Sequence, residues 1–331
     1  MRRRTLILGL ALIGAAIALA ACAAEGPAGP AGPAGPAGPP GPVASAADLS
    51  CTQCHNDTTL IVSKDAQFRE TSIHGTGESF VRGEGTNCAG CHGTEGAKAR
   101  ISAGLPPHDE SVVGVVNVSP FDCRTCHQVH SSYTSEDWAL TGNDQPVVLE
   151  MTGGTFDGGK GNLCANCHQI RNELPVAAAG NIDLGTNTRF GTHYGVEAQM
   201  LLGEGGLGVS GDPSPHYSTV ENTCVTCHMG EEGNHTYLPD VERCQACHAD
   251  AENFDINGVQ TEVTAMLEEV HGLLIASGIM NEEGRSIAGV YPEAVASAMW
   301  NYKLVEYDQS MGVHNSAYTK ALLESALEAL R

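Results

Sequence analysis

The chain has 331 residues and a formal charge of −22 at neutral pH, and aromatic residues make up only 5% of it. Such an acidic chain lacks the basic footprint of proteins that bind nucleic acid. Hydrophobic periodicity is weak between residues 48 and 250, and glycine is abundant at 40 residues. A core made only of protein side chains would therefore be thin in this region.

An export signal opens the chain. Arg2, Arg3 and Arg4 precede an apolar run that ends at Ala21, which is the charged and hydrophobic pattern of a signal peptide. The run is shorter than the ~20 residues that a membrane span needs. Residues 19–22, "LAAC", resemble the lipobox of bacterial lipoproteins. We therefore predict a signal peptide over 1–21 and lipidation at Cys22, with ordinary cleavage at an A-x-A site as the alternative.

Residues 26–43 read "GPAGPAGPAGPAGPPGPV" and form six Gly-x-y triplets. A collagen triple helix requires glycine at every third position. The stretch is short for such an assembly, and a polyproline-II spacer is the simpler interpretation. We predict that residues 22–47 tether the rest of the chain to the membrane, with trimerisation as the second interpretation.

The pattern C-x-x-C-H occurs six times between residues 51 and 248. Twelve of the 13 cysteines lie in these motifs. Zinc sites do not need a histidine after every second cysteine, and thioredoxin-like sites come with βαβ patterns. In haem c, by contrast, the two cysteines form thioethers and the adjacent histidine binds the iron. The predicted thioether cysteines and iron-binding histidines are Cys51, Cys54 and His55; Cys88, Cys91 and His92; Cys123, Cys126 and His127; Cys164, Cys167 and His168; Cys224, Cys227 and His228; and Cys244, Cys247 and His248.

Six covalently attached haems would supply the apolar surface that the peptide lacks. We predict a six-haem cytochrome domain over 48–250, with a short helix at each motif. A helical C-terminal region over 251–331 follows. There, Val263, Leu267 and Leu274 recur at helical spacing, and Gly278 is a plausible stop. A second helix begins near Pro292, and a third extends from Ser316 to the end of the chain.

Eight of the 14 histidines lie outside the motifs, and six irons would each accept a second axial ligand. Short spacing before a motif favours His216 and His235, and His74 precedes a motif by a longer interval. Position in a glycine-rich and tyrosine-rich loop distinguishes His193. The predicted distal ligands are His74, His130, His193, His216, His235 and His314, with His108 and His271 as reserves.

His130 follows His127 by three residues. If the short helix of that motif continued, the two side chains would lie on nearly the same face. His130 could then not reach the opposite side of the haem that His127 binds. We therefore predict that His130 binds the iron of a neighbouring haem.

The chain after residue 48 resembles the bacterial multihaem c-type cytochromes. The resemblance is carried by the segments "FDCRTCHQVHSSYTSEDWAL" and "ENTCVTCHMGEEGNHTYLPDVERCQACH". The terminal segment "MWNYKLVEYDQSMGVHNSAYTKALLESAL" is similar to the last helices of ammonia-forming nitrite reductases. That similarity implies a distal-ligand role for His314. Those reductases carry a C-x-x-C-K motif at the catalytic haem, and none of Lys64, Lys98, Lys160, Lys303 and Lys320 stands in such a motif.

These observations predict a mainly α fold with much irregular loop, templated by haem and capped by C-terminal helices. The predicted function is electron transfer along mostly bis-histidine haems at the outer cell surface or in the periplasm. The expected partners are redox proteins or extracellular acceptors, with the membrane reached through the lipid anchor only. Two alternatives stay open: a reductase of small nitrogen or sulfur oxyanions with one open haem, and a subunit of an extracellular cytochrome filament.

Overall fold

The computed structural model describes residues 60–142, 145–230 and 233–331. These residues fall within one structural unit, Ala46–Arg331. The predicted signal peptide, Cys22, the Gly-Pro-Ala stretch and the first motif (Cys51, Cys54 and His55) lie outside the described residues. No helix in the described ranges combines the length and the apolar character that crossing a bilayer requires.

The region from residue 60 to residue 251 consists mostly of loops and short helices. Its α-helices are α1 (Leu60–Glu70), α2 (Ile73–Thr76), α3 (Thr94–Ser102), α4 (Cys123–Cys126), α5 (Asn162–Ala165), α6 (Glu197–Leu202), α7 (Pro215–Thr219) and α8 (Cys224–His228). Single 3₁₀ turns occur at Ser79–Arg82, Glu110–Val112, Ser135–Trp138, Gly159–Gly161 and Val241–Ala246.

Local capping explains why the third motif starts a helix at its first cysteine. The Asp122 carboxylate accepts the backbone N–H of Arg124, and the backbone N–H of Asp122 donates to the Thr125 hydroxyl. This reciprocal arrangement satisfies the otherwise unpaired donors of a first helical turn. The helix ends after one turn because His127 is extended, with φ −112° and ψ 154°.

Two small antiparallel sheets connect the loops. Strands β1 (Val147–Val148) and β2 (Thr155–Phe156) pair with each other. Strands β3 (Asn181–Asp183) and β4 (Val290–Pro292) pair with Ile182 opposite Tyr291. The second sheet therefore joins the loop region to the segment that enters the C-terminal helices.

Three long helices form the C-terminal region: α9 (Val259–Ala276), α10 (Glu293–Asp308) and α11 (Ser316–Leu330). Their apolar faces meet in one hydrophobic core, which also takes in Ile170, Phe190 and Met200 from the loop region. Trp300 lies at its centre with 1% of its surface exposed. The Trp300 ring contacts Phe190 edge-on at 5.8 Å, and its Nε1–H donates to Gly205 O at 2.8 Å.

The mainly helical fold with irregular loops, predicted from the sequence, is confirmed. So is the stop near Gly278, which follows the end of α9 in the left-handed conformation at φ 74°. Two predictions about the motifs are wrong. Residues 88–92 form turns rather than a helix, and the sixth motif lies at a 3₁₀ turn. Each motif here is held by contacts with the rest of the chain, so a regular helix is not needed.

The predicted helical continuation from His127 to His130 is also wrong. His127 is extended, and His130 has φ +61°, in the left-handed region that non-glycine residues rarely adopt. The face-sharing argument therefore fails, and the role of His130 as a ligand of a neighbouring haem stays a prediction.

Candidate haem-binding site

Histidine rings meet in pairs throughout the loop region. Among the described residues, five pairs have ring centres 6.0 to 6.3 Å apart. Every pair joins the histidine of a C-x-x-C-H motif to a histidine outside the motifs. The pairs are His92–His193, His127–His235, His168–His74, His228–His314 and His248–His216.

This spacing suits two axial ligands of one iron. A bond between a metal and an imidazole nitrogen is about 2 Å long. Two such bonds in line, plus the distance from each nitrogen to its ring centre, separate the ring centres by about 6 Å. The cysteine pair beside each motif histidine then supplies the thioether attachment of haem c, so these residues fit that group.

The pairing uses five of the six histidines predicted as distal ligands: His74, His193, His216, His235 and His314. It also brings together residues that are far apart in the sequence. His74 precedes the motif of His168 by two complete motifs, and His314 belongs to the C-terminal region. Short sequence spacing before a motif therefore does not predict which motif histidine each ring meets, because the paired histidines are separated by intervening motifs.

Hydrogen bonds at Nδ1 orient most of these rings. Five of them point Nδ1 at a backbone carbonyl, at distances of 2.6 to 2.9 Å. An Nδ1–H bonded in this way leaves Nε2 as the free nitrogen, which is how metal-binding histidines are usually held. The ring–carbonyl pairs are His127–Trp138, His193–Tyr194, His216–Val313, His228–Tyr237 and His235–Gly233.

Two other rings face carboxylates. His168 Nδ1 lies 2.9 Å from Glu197 Oε2, and His314 Nδ1 lies 2.6 Å from Asp308 Oδ1. The charge of Glu197 raises the pKa of His168 to about 9 against the opposing effect of burial. Burial lowers the pKa of His314, but the charges of Asp308 and Glu197 outweigh it and raise the value to about 9. A carboxylate at Nδ1 makes the imidazole a more basic ligand through Nε2.

Burial lowers the pKa of six of the other paired rings. It lowers the pKa of His74 to about 4, with a smaller contribution from the charge of His168. A neutral imidazole is the form that binds a metal. Burial is also the largest cause of a lowered pKa at His92, His127, His193, His228 and His235.

The two reserve histidines have other contacts. Nδ1 of His108 lies 2.7 Å from Glu150 Oε2, and its Nε2 accepts a bond from Arg171 Nε at 3.2 Å. Both ring nitrogens of His108 are therefore engaged by protein groups. His271 lies in α9, where its Nδ1 is 2.9 Å from the Tyr302 hydroxyl. Neither ring is paired with a motif histidine among the described residues.

His130 is held by its own loop. The Asp137 carboxylate accepts the backbone N–H groups of His130, Ser132 and Tyr133 at 2.8, 2.6 and 3.2 Å. The His130 ring stacks on Tyr133 at 5.4 Å with an interplanar angle of 10°. Several bonds to one buried carboxylate stabilise the left-handed backbone of His130 and fix the direction of its side chain.

The segments that directly precede the fourth and fifth motifs contact each other. The Thr223 hydroxyl donates to Gly158 O at 3.1 Å, and Lys160 N donates to Asn222 Oδ1 at 3.1 Å. A Cβ at Gly161 would lie 2.1 Å from Thr223 Oγ1 and 3.2 Å from Cys224 Sγ. Only glycine allows so close an approach. The haems attached at these two motifs would therefore be neighbours.

Sequence reasoning missed the carboxylates that face His168 and His314. Glu197 follows His168 by many residues, and it reaches the ring only because α6 folds back beside the fourth motif. Asp308 stands six residues before His314 at the end of α10. That short spacing was a usable signal for Asp308, whereas nothing in the sequence distinguished Glu197 from the other acidic residues.

Comparisons with known proteins place the fold among cytochromes. Residues 43–140 match the family model for cytochrome c3. The outer cell wall cytochrome OcwA aligns over 81% of this chain with 21% identity and a TM-score of 0.53. An undecahaem cytochrome from the S-layer of Carboxydothermus ferrireducens aligns over 83% with 17% identity and a TM-score of 0.47. A search of curated proteins found no match.

The fold is that of the multihaem c-type cytochromes, and the resemblance predicted from the motifs is confirmed. Haem c is the cofactor that this fold carries. The chain spans about half of the length of OcwA, since the alignment covers 50% of that protein, and it covers 41% of the S-layer cytochrome. The similarity of the C-terminal segment to nitrite reductases stays a prediction.

Proposed function

We propose that the chain is an exported electron carrier with six covalently attached haems, each bound by two histidines. The observation that carries this proposal is the set of five ring pairs, because each one joins a motif histidine to a histidine outside the motifs. An iron with two protein ligands has no open position for a substrate, so such haems exchange electrons without binding one. Haem supplies the redox chemistry, and the protein orients the rings and excludes water.

The two ligands of the sixth haem are assigned by elimination. After the five pairs are formed, His55 of the first motif and His130 are left among the predicted ligands. His130 sits at the end of a loop fixed by Asp137, as an axial ligand should. We therefore assign His55 and His130 to one iron. In this assignment the segment "CHQVH" serves two haems, with His127 bound to one and His130 to its neighbour.

Contacts between motifs support a connected path for electrons. The second and fourth motifs both touch the side chain of Arg100, at Cys91 and Cys167. The fourth and fifth motifs meet at Gly161 and Thr223. Haems at these three motifs would be close enough in space for rapid exchange, and the fourth would connect the other two.

The location belongs to the same proposal. The signal peptide, Cys22 and the Gly-Pro-Ala spacer would place the haem domain on a lipid anchor at the outer membrane or cell surface. The two similar structures are named as outer cell wall and S-layer proteins, which agrees with an exported protein. Cys22→Ser should move the protein from the membrane fraction to the soluble fraction. An unchanged distribution would contradict the anchor.

The ligand assignment is tested by spin state. His235→Leu removes a proposed distal ligand, and His108→Leu removes a histidine of similar burial that is engaged elsewhere. We expect His235→Leu to retain six haems by intact mass and to turn one haem in six high-spin. His108→Leu should stay fully low-spin. Electron paramagnetic resonance and carbon monoxide binding measure both variants.

Two results would contradict the proposal. Fewer than six haems in the mature wild type would refute the haem number. A wild type that already contains a high-spin haem and binds nitrite or carbon monoxide would contradict the bis-histidine assignment for that haem. The reductase of small nitrogen or sulfur oxyanions would then become the better explanation.

A further inference from the structure

Arg100 is a fully buried arginine in the loop region. It lies in the last turn of α3 and has 0% of its surface exposed. Its Nε donates to Gly90 O at 2.8 Å, and its Nη2 donates to Asn166 O at 2.9 Å. Nη1 donates to Leu105 O at 3.2 Å. Every one of these acceptors is a backbone carbonyl.

Two of those carbonyls lie inside haem-attachment motifs. Gly90 stands between Cys88 and Cys91 in the second motif, and Asn166 stands between Cys164 and Cys167 in the fourth. Nη2 also lies 3.8 Å from Cys91 Sγ and 3.3 Å from Cys167 Sγ. One guanidinium therefore touches both loops and one sulfur of each.

The sequence of the second motif is adapted to this contact. A Cβ at Gly90 would lie 3.3 Å from Arg100 Cδ and 2.7 Å from Pro107 O. A side chain at this position would push the arginine or the backbone of residue 107 away. Glycine in "CAGCH" is thus explained chiefly by the Pro107 carbonyl and in part by the buried arginine beside it.

Among the described residues, no carboxylate pairs with the charge of Arg100. Across the ranges that the structure describes, none of the ion pairs includes this residue. A guanidinium stays protonated at all accessible pH values, and carbonyl dipoles satisfy its N–H groups without neutralising it. A full positive charge therefore sits in a site of low dielectric between two haem-attachment loops, where its field is weakly screened.

We propose that Arg100 raises the reduction potentials of the haems attached at the second and fourth motifs. This inference rests on the proposed function, because it requires haem at both motifs. Ferric haem carries one more positive charge than ferrous haem, and a nearby cation disfavours the oxidised form. Burial and local dielectric are levers by which a protein sets the potential of a haem, and a buried charge without a counter-charge acts on it through Coulomb's law. One electron is gained per haem, and no covalent bond changes.

The consequence is that Arg100 shifts electron occupancy toward these two haems. The fourth motif contacts the second through Arg100 and the fifth through Thr223. A raised potential at the fourth haem would hold an electron at this junction until a neighbouring haem or an acceptor removes it. Arg100 therefore acts on the haems through its charge and does not bind iron.

The test compares Arg100→Gln, Arg100→Lys and Arg124→Gln in the haem-loaded protein. Arg124 lies inside the third motif, but its side chain is 52% exposed and paired with Asp122 at 2.6 Å, so it is the matched control. Haems are counted by intact mass and located by peptide mapping. Midpoint potentials come from a spectroelectrochemical titration.

We expect Arg100→Gln to retain six haems and to shift two of the six midpoint potentials to more negative values. Arg100→Lys, which keeps the charge, should titrate close to the wild type. Arg124→Gln should superimpose on the wild type, because an exposed and already paired charge is screened.

Three results would overturn the inference. Arg100→Gln could titrate as the wild type does with all six haems in place. Arg100→Lys could shift as far as Arg100→Gln, which would assign the effect to geometry and not to charge. Arg100→Gln could lose haem while Arg100→Lys keeps all six, which would make the role structural. Absence of haem from the second or fourth motif of the wild type would instead refute the proposed function.

Discussion

The loop region over residues 60–251 and the helical region over residues 259–330 are organised by different kinds of contact. In the helical region, α9, α10 and α11 bury apolar faces against one another, and these helices supply most of the main hydrophobic core. In the loop region, most α-helices are only four to six residues long, and most of the paired histidines lie in or near these short helices. The first region holds itself together by apolar packing, whereas the second has a smaller cluster of buried apolar residues and, in the proposed function, relies on bound haem as well.

This contrast has a thermodynamic meaning. Helices as short as α4 and α5 do not form on their own, because the cost of nucleating a helix is not recovered over one turn. The loop region needs another source of stabilisation, and bound haem is the natural one. The helical region has enough buried apolar surface to fold with little help.

Removal of haem should produce the largest difference in stability between the two regions. We expect chain produced without haem attachment to keep amide protection in α9 to α11 and to lose it in α3 and at the second and third motifs. The reason is that the loop region would lose both the iron bonds and the apolar porphyrin faces. Hydrogen exchange followed by mass spectrometry measures each segment, with the haem-loaded protein as reference. Equal protection of α3 in both forms would contradict the prediction.

The two tryptophans offer a smaller and sharper comparison. Trp300→Ala should lower the free energy of unfolding by about 3–5 kcal/mol, since it empties a large space in the helical core. Trp138 is 38% exposed and contacts the His127 ring edge-on. Trp138→Ala should cost less than about 1 kcal/mol.

Guanidinium denaturation of the haem-loaded variants, followed by circular dichroism, measures both changes. Trp138→Ala serves as the control for the general effect of removing an indole. If the two substitutions lowered stability equally, the helical region would not be the better packed of the two.

The carboxylate beside His168 in the loop region and the one beside His314 in the helical region sharpen the comparison of the two regions. Glu197→Gln replaces a charged acceptor with a neutral one of the same shape. The Nε2 atom of His168 should become a weaker donor to iron, which raises the potential of one haem by an amount on the order of 1 kcal/mol. Asp308→Asn should act in the same direction at the haem bound by His314.

A redox titration with electron paramagnetic resonance detects these shifts. Glu306→Gln is the control, because Glu306 bonds Lys303 and Tyr302 and no histidine. Unchanged potentials in both Glu197→Gln and Asp308→Asn would show that the carboxylates do not tune the irons.

The sequence predicted the composition of the site better than its arrangement. C-x-x-C-H and a surplus of histidine are local signals, and five of the predicted distal histidines are found in ring pairs. Which ring meets which depends on long-range folding, and no spacing rule gives it. The helical continuation to His130 failed for a related reason, since Asp137 binds the loop and overrides the local helical preference.

The sequence did not predict which charged residues are buried. Arg100 lies on α3 among residues of ordinary helical composition, and nothing in that helix marks it as fully buried. Its position follows from two loops that converge on it from different parts of the chain. Glu197 is similar, because its role appears only when α6 lies against the fourth motif.

The histidine pairs also decide how far the chain can be divided. Repeated motifs suggest a string of separable one-haem modules, but His74 meets His168 and His92 meets His193 across intervening motifs. His314 meets His228 from beyond residue 250. During export, the histidine of an early motif would cross the membrane well before the distant histidine with which it pairs. A cut at any position between residues 74 and 314 would separate the two histidines of at least one pair, so recombination among relatives should exchange this stretch whole.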